Sequence, residues 1–260
     1  MNKTTFLIIF VSSVIFCAAC GAGAEPTTPT PTATEPPPTF TPTPSPDDAY
    51  QEGMDLLLAS DFEGAAEAYQ RALDIDPQFG PALTGLSRAA LYLGMDPVTA
   101  LDYAQQAVDI APGDPEAYVV LSRAQLMLYQ VEDAEESARE ALGLDENHVE
   151  AQAALAEVLL MLNEFEESLE AVETAYELDP QSAAVNEALG KYYQETGDYP
   201  RASEAYQNAV SLEPDFFYWQ MLLGDLYLAR DGFETAQNTY QAAAELAPDH
   251  LMPPISLAYL

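Results

Sequence analysis

The chain has 260 residues, with 43 Asp and Glu against 8 Lys and Arg, a formal charge of -35 at pH 7. So negative a field cannot displace counterions from phosphates, which excludes a nucleic-acid role and favours cationic partners or simply a solvated outer face. Both cysteines, Cys17 and Cys20, lie in the first twenty residues, so the remainder can hold no disulfide, thiol nucleophile or thiolate metal site.

Residues 1–20 begin with a small basic region at Lys3 and continue as an apolar run from Phe6 to Ala19. That run is shorter than the ~20 residues a bilayer-spanning helix needs, and it reads as a signal sequence. The small residues directly before Cys20 resemble the lipobox of bacterial lipoproteins, in which the peptide is cut before a cysteine that then carries the lipid; Cys17 stands where that motif usually has Leu. The alternatives are an ordinary secretory signal cut near Ala22 or Ala24, or an uncleaved anchor. Each exports the chain, so the expected location is the extracytoplasmic face of a bacterial membrane, or the exterior if Cys20 is not lipidated.

Residues 21–46 hold nine prolines and eight threonines with almost nothing apolar to bury. Such a segment cannot form a core, and proline biases it to extended polyproline II at roughly 3.1 Å per residue. It reads as a linker or stalk.

From Asp47 the composition turns to Ala, Leu, Glu and Tyr, and a period emerges. Pro180, Pro214 and Pro248 are spaced thirty-four residues apart, and counting backwards lands on Glu146, Pro112 and, with one extra residue, Pro77. Within the unit from Pro180 to Pro214, Leu189, Gly190 and Tyr193 fall at helical spacing, a Gly-Asp-Tyr turn follows at 197–199, and Ala202, Tyr206 and Ala209 recur at helical spacing before the closing proline. The spacing predicts helix, turn, helix, stop, six times over: 47–79, 80–114, 115–148, 149–182, 183–216 and 217–250, with 251–260 as a partial seventh helix or cap. The extra residue belongs in the turn from Gly94 to Pro97, where length costs little.

This period and these small, aromatic and proline positions resemble the tetratricopeptide repeat. The resemblance implies an all-α, right-handed solenoid in which glycine or alanine lets helices approach, an aromatic fills the space between, and proline ends the second helix. Tyr69, Tyr206 and Tyr240 are therefore expected in the core. The third and fourth copies match least well, with Ala138 and Val172 at the aromatic position.

No catalytic constellation accompanies the repeats. His148 and His250 fall in connectors three copies apart and are expected at the surface, and the face carrying Glu166 and Glu170 is expected to be solvated. An enzyme, a cofactor and a metal are not expected.

In the tetratricopeptide family the concave groove is lined by the first helix of each repeat at its second, fifth, ninth, twelfth and thirteenth positions. Carried over, the ninth positions are Met54, Arg88, Arg123, Glu157, Lys191 and Asp225, which take three of the array's seven basic residues. Arg88 and Arg123 could jointly grip a carboxylate of a peptide; equally, Arg123 could pair with Glu157 on the next repeat. The lysine and asparagine clamp of chaperone-binding members is missing, since Tyr50, Met54 and Gly85 stand at its early positions. The twelfth positions, Leu57, Leu91, Leu126, Leu160, Gln194 and Leu228, with Tyr92, Met127 and Met161 beside them, would make an apolar floor, part core and part groove.

The combination resembles bacterial lipoproteins with tetratricopeptide repeats that help assemble envelope machines such as pilus secretins. It implies a membrane-anchored scaffold for a protein or peptide partner. Two other readings stay open: a stalked structural protein that pairs with itself through Ile255, Leu257, Tyr259 and Leu260, and an acidic binder of cations or basic proteins.

Overall fold

The computed structural model describes residues 45–92 and 97–248, together with positions 250, 253 and 256. All lie in the compact unit Thr43–Leu260. The signal segment with Cys20, the linker as far as residue 44, and the four apolar terminal residues Ile255, Leu257, Tyr259 and Leu260 lie outside the described residues.

The unit is an all-α solenoid of antiparallel helix pairs: α1 (Pro46–Leu58) with α2 (Phe62–Ile75), α3 (Gly80–Tyr92) with α4 (Pro97–Ile110), α5 (Pro115–Met127) with α6 (Val131–Leu144), α7 (Val149–Met161) with α8 (Phe165–Leu178), α9 (Ala183–Glu195) with α10 (Tyr199–Leu212), and α11 (Phe217–Ala229) with α12 (Phe233–Leu246). Every first helix has 13 residues and every second helix 14. The connection between Tyr92 and Pro97 is one residue longer than the other five within-pair turns, so the extra residue is absorbed there.

Local chemistry fixes these boundaries. Ser45, Asp61, Asp114, Ser182 and Asp198 cap their helices by accepting from backbone N–H groups that the first turn leaves free, and the Nδ1 of His148 does the same for Ala151. The five described turns inside the pairs share a left-handed residue: Ser60, Tyr129, Asn163, Gly197 and Asp231 all have positive φ. Around Ser60 the Asp61 N–H reaches back to the Leu56 carbonyl and the Ser60 N–H to that of Leu57, the double closure that ends a helix with a left-handed residue.

Between the two helices of a pair, one contact decides the spacing. Tyr69, Tyr206 and Tyr240 are each 1% exposed, and each ring lies where a side chain on the facing glycine would be. A Cβ on Gly53 would stand 2.5 Å from Tyr69, one on Gly190 2.3 Å from Tyr206, and one on Gly224 2.5 Å from Tyr240. Where the second helix instead has Ala104, Ala138 or Val172, the first helix has Ser87, Ser122 or Ala156. The Ser87 and Ser122 hydroxyls donate to the Ala100 and Ala134 carbonyls, so the smaller pairs are also satisfied.

The array also turns back on itself. The Ser60 hydroxyl donates to the Asp215 carbonyl and accepts from the Phe217 N–H, both at 2.9 Å. Phe62, 2% exposed, packs its ring against Phe216, Phe217 and Tyr92, and Tyr92 in turn meets Phe216 at 4.8 Å and Tyr218 at 5.2 Å. His250 lies against Phe62 and Phe217, its Nε2 3.0 Å from the Tyr92 carbonyl. The first turn of the array and the start of its sixth repeat therefore share one core. Neither histidine is a surface residue as expected: His148 is held by its capping bond and His250 by this aromatic contact.

Candidate functional site

The first helices line the inner face, and the superhelix is tight enough that side chains reach across a whole repeat. Arg88 on α3 pairs with Glu116 on α5 and also, at 2.9 Å, with Glu150 on α7. Arg123 on α5 lies 3.6 Å from Glu157 on α7 and 3.8 Å from Glu187 on α9. Lys191 on α9 contacts both Glu157 and Glu187 at 2.6 Å. The Tyr218 hydroxyl on α11 donates to Glu187.

This ladder corrects one expectation. Arg88 and Arg123 do not converge on a shared vacant point, because each is already flanked by two carboxylates of later repeats; the pairing of Arg123 with Glu157 is what the fold adopts, at ion-pair rather than hydrogen-bond distance. The array's other cations are also engaged, Arg71 with Glu52, Arg139 with Glu135, Arg201 with Asp198 and the Tyr193 ring, and Arg230 over the Tyr199 ring.

Burial and charge set the protonation of the ladder. Glu116 and Glu150 share one guanidinium, and their titrations separate. Burial raises the Glu116 carboxyl to about 7 against the pull of Arg88, whereas Arg88 holds Glu150 below its ordinary value. Burial opposes ionisation of Glu157, but Lys191 and Arg123 outweigh it and keep its carboxyl low. Desolvation likewise opposes the charged forms of Arg123 and Lys191, and the adjacent carboxylates reverse it. Burial pushes the Tyr92 phenol up to about 12.

Above the ladder, towards the C-terminal ends of the first helices, an open cavity of about 470 Å³ remains. Its walls are Leu91, Tyr92, Leu126, Met127, Tyr129 and Met161, and its floor is Arg123, Glu157, Glu187, Lys191 and Tyr218. Five successive first helices and one turn thus contribute to one space. Met127 and Met161 are 49% and 46% exposed, and Tyr129 is 78% exposed in the left-handed conformation a bulky side chain seldom adopts. Of the residues expected in the groove, Arg123, Lys191, Tyr92, Leu126, Met127 and Met161 meet here. Leu160 is half-buried outside the cavity, Leu57 is core, and Arg88 lies in a smaller neighbouring cavity of about 200 Å³ with Tyr50, Met54, Glu116 and Glu150.

Sequence reasoning missed Glu116, Glu150, Tyr218 and Tyr129. The first three occupy second positions of their repeats, within the family's groove-lining set, so a signal for them existed. Tyr129 stands in a turn, where the pattern assigns no role.

Among the described residues no group of three or more His, Cys, Asp and Glu side chains could hold a metal ion, and no helix is long and apolar enough to cross a membrane.

Two family profiles described as tetratricopeptide repeat match the chain, one over residues 50–115 and 187–250, the other over 130–192. Among curated proteins, none matches the sequence. Among solved structures, a chain of the APC/C hetero-tetramer Cut9–Hcn1 is 18% identical with a TM-score of 0.58, the match covering 82% of this chain and 42% of that one. A chain of the human IFIT1 dimer with m7Gppp-AAAA is 19% identical with a TM-score of 0.61, covering 77% of this chain and 50% of that one. At such identities the likeness is one of fold, and this chain spans half or less of either relative.

Proposed function

Because the chain belongs to the tetratricopeptide repeat family, whose solenoids generally mediate protein or peptide interactions, we propose that it is an extracytoplasmic scaffold, lipid-anchored at Cys20, that binds a protein partner on its concave face. The observation that carries this reading is the cavity lined by Tyr92, Leu126, Met127, Tyr129 and Met161: half-exposed methionines and a strained, exposed tyrosine form an apolar, adaptable surface on an otherwise acidic molecule. The basic residues of the groove act first as its framework, since their charges are met internally; the apolar walls offer the larger part of the contact.

The anchor rests on Cys20 and the Pro/Thr-rich segment behind it, which would hold the solenoid away from the membrane, as in envelope-assembly lipoproteins. Two measurements test the proposal. The full chain, tagged and recovered from membranes, is compared with a Met127→Glu, Met161→Glu variant; a partner retained by the first and lost by the folded second is expected, and identical retention would remove the cavity as the site. Cys20→Ser is expected to leave the membrane fraction, and equal partition would remove the lipid.

A second reading has its own observation. Glu166, Glu170, Glu173 and Glu177 are exposed along α8, a surface suited to basic proteins. Binding there would collapse with added salt, whereas binding in the apolar cavity would persist.

A further inference from the structure

The cavity's depth and polarity narrow what can enter it, and this step rests on the concave-face reading just given. Tyr92 and Tyr218, from the second and sixth repeats, meet on one side, and the ionic ladder closes the floor. Closed below by the ladder and on one side by the tyrosines, the space is a cup that suits the end of a segment better than its length.

The floor offers donors. Lys191 and Arg123 are 28% and 19% exposed, whereas Glu157 and Glu187 behind them are 9% and 2% exposed. Lys191 donates to Glu157 and lies 2.6 Å from Glu187, so at least one of its three N–H groups is left over. Arg123 is held by charge alone: its Nε and Nη2 are enclosed without a hydrogen-bond partner beside the equally unmet Oε1 of Glu157 and Oε2 of Glu187, both ion-pair distances are beyond hydrogen-bond length, and the exposed remainder of its side chain lines the cup. The exposed parts of Lys191 and Arg123 can take a further acceptor. A carboxylate would add a third anion beside Glu157 and Glu187, so a neutral or partly negative oxygen fits better.

The last turn of a helix supplies such oxygens. It leaves four carbonyls unbonded and carries about half a negative charge, without a formal anion. Its size also matches: one turn, 5.4 Å long and 10–12 Å across, occupies roughly 420–610 Å³, against a cavity of about 470 Å³. Basic residues, favoured near a helix C-terminus, would then face a chain of net charge -35.

We infer that the cup receives, end-on, the C-terminal turn of an amphipathic partner helix, with its apolar side chains against Leu126, Met127 and Met161 and its free carbonyls on Arg123 and Lys191.

The test uses the full chain with its methionine methyls labelled for NMR, so that Met127 and Met161 report from the cup wall. The probe is a lactam-bridged helical peptide with leucines in its last turn, lysines beside them and a C-terminal amide. Two controls accompany it: the same composition held extended by prolines, and the same helix with its leucines moved to the first turn. The helix with apolar last turn is expected to shift both methyls and to bind at least about fivefold more tightly than either control. Arg123→Lys, which keeps the charge but not the guanidinium donors, should weaken it severalfold while the methyl spectrum of the free variant stays folded. Equal binding by the extended peptide, or by the helix with its apolar first turn, would overturn the end-on geometry while leaving the cavity as a docking site. Absence of methyl shifts at about 1 mM of every peptide would overturn the inference itself, and the retention comparison would then judge the scaffold reading alone.

Discussion

Tyr129 holds a backbone conformation that costs a non-glycine residue on the order of 1 kcal/mol, and its ring stays 78% exposed. The conformation belongs to the turn, which takes a left-handed residue at Ser60, Asn163, Gly197 and Asp231 as well, but only here does it present an exposed aromatic ring free to make a contact. Tyr129→Gly is expected to raise stability by about 1 kcal/mol in urea unfolding while weakening partner retention; a variant with unchanged retention would show that the ring serves no contact. The glycine and tyrosine partners inside each pair give a second residue-scale test. Gly190→Ala places a methyl against Tyr206 and should cost about 1–3 kcal/mol despite better helix propensity. Pairing Gly190→Ser with Tyr206→Ala, which copies the third repeat, should cost at least about 1 kcal/mol less than the two single losses added. This trade explains why the sequence made the middle repeats look degenerate: Ala138 and Val172 depart from the aromatic pattern, and Ser122 and Ala156 have changed with them. The steric role of each position was legible in one repeat, but the exchange appears only when the repeats are compared across the helix contact.

Among elements, the first helices are tied by carboxylates that bridge cations from other repeats. Breaking such a buried pair from one side strands a charge, a loss of about 3–5 kcal/mol, so the ladder resists piecemeal change. Glu116 makes the ladder pH-sensitive. Its carboxyl is raised to about 7 from 4.5, so its share of stability is complete below about pH 4.5 and is lost as pH rises through about 7. Glu116→Gln should flatten that fall, measured as urea midpoints across the interval; an unchanged slope would assign it to other groups. The ninth-position cations were legible once the family's groove positions were laid on the period, and so was one of their pairings. Their remaining partners were not, because whether Arg88 reaches Glu150 depends on how sharply the solenoid bends, and curvature is a sum over all the helix contacts. The apolar walls divide for the same reason: Leu57 and Met127 occupy neighbouring positions of the repeat, yet one is core and the other half-exposed.

At the scale of the molecule, an open solenoid would leave its first and last repeats with one neighbour each. Here Ser60 and Phe62 supply the missing neighbour by joining Phe216 and Phe217. Nothing in the sequence announced this. Residues 216–219 read as an unusually aromatic start to a helix, and the segment they meet lies more than 150 residues away, beyond any local pattern. Phe62→Ala should cost about 3–5 kcal/mol and, in small-angle X-ray scattering of the full chain, enlarge the radius of gyration as the contact parts. A stability loss without expansion would mean that the helix interfaces set the curvature unaided.

That contact gives the number of repeats a meaning it lacks in an open array. Ordinary solenoids gain or lose a unit by recombination and remain serviceable, slightly longer or shorter versions of themselves. In this molecule a duplicated or deleted repeat would carry Phe216 past Phe62 or leave it short, uncovering the aromatic seam and pulling Tyr92 away from Tyr218 at the side of the cup. The repeat count is therefore held by geometry, and evolution of this solenoid should proceed by substitution within its units, not by changing how many there are.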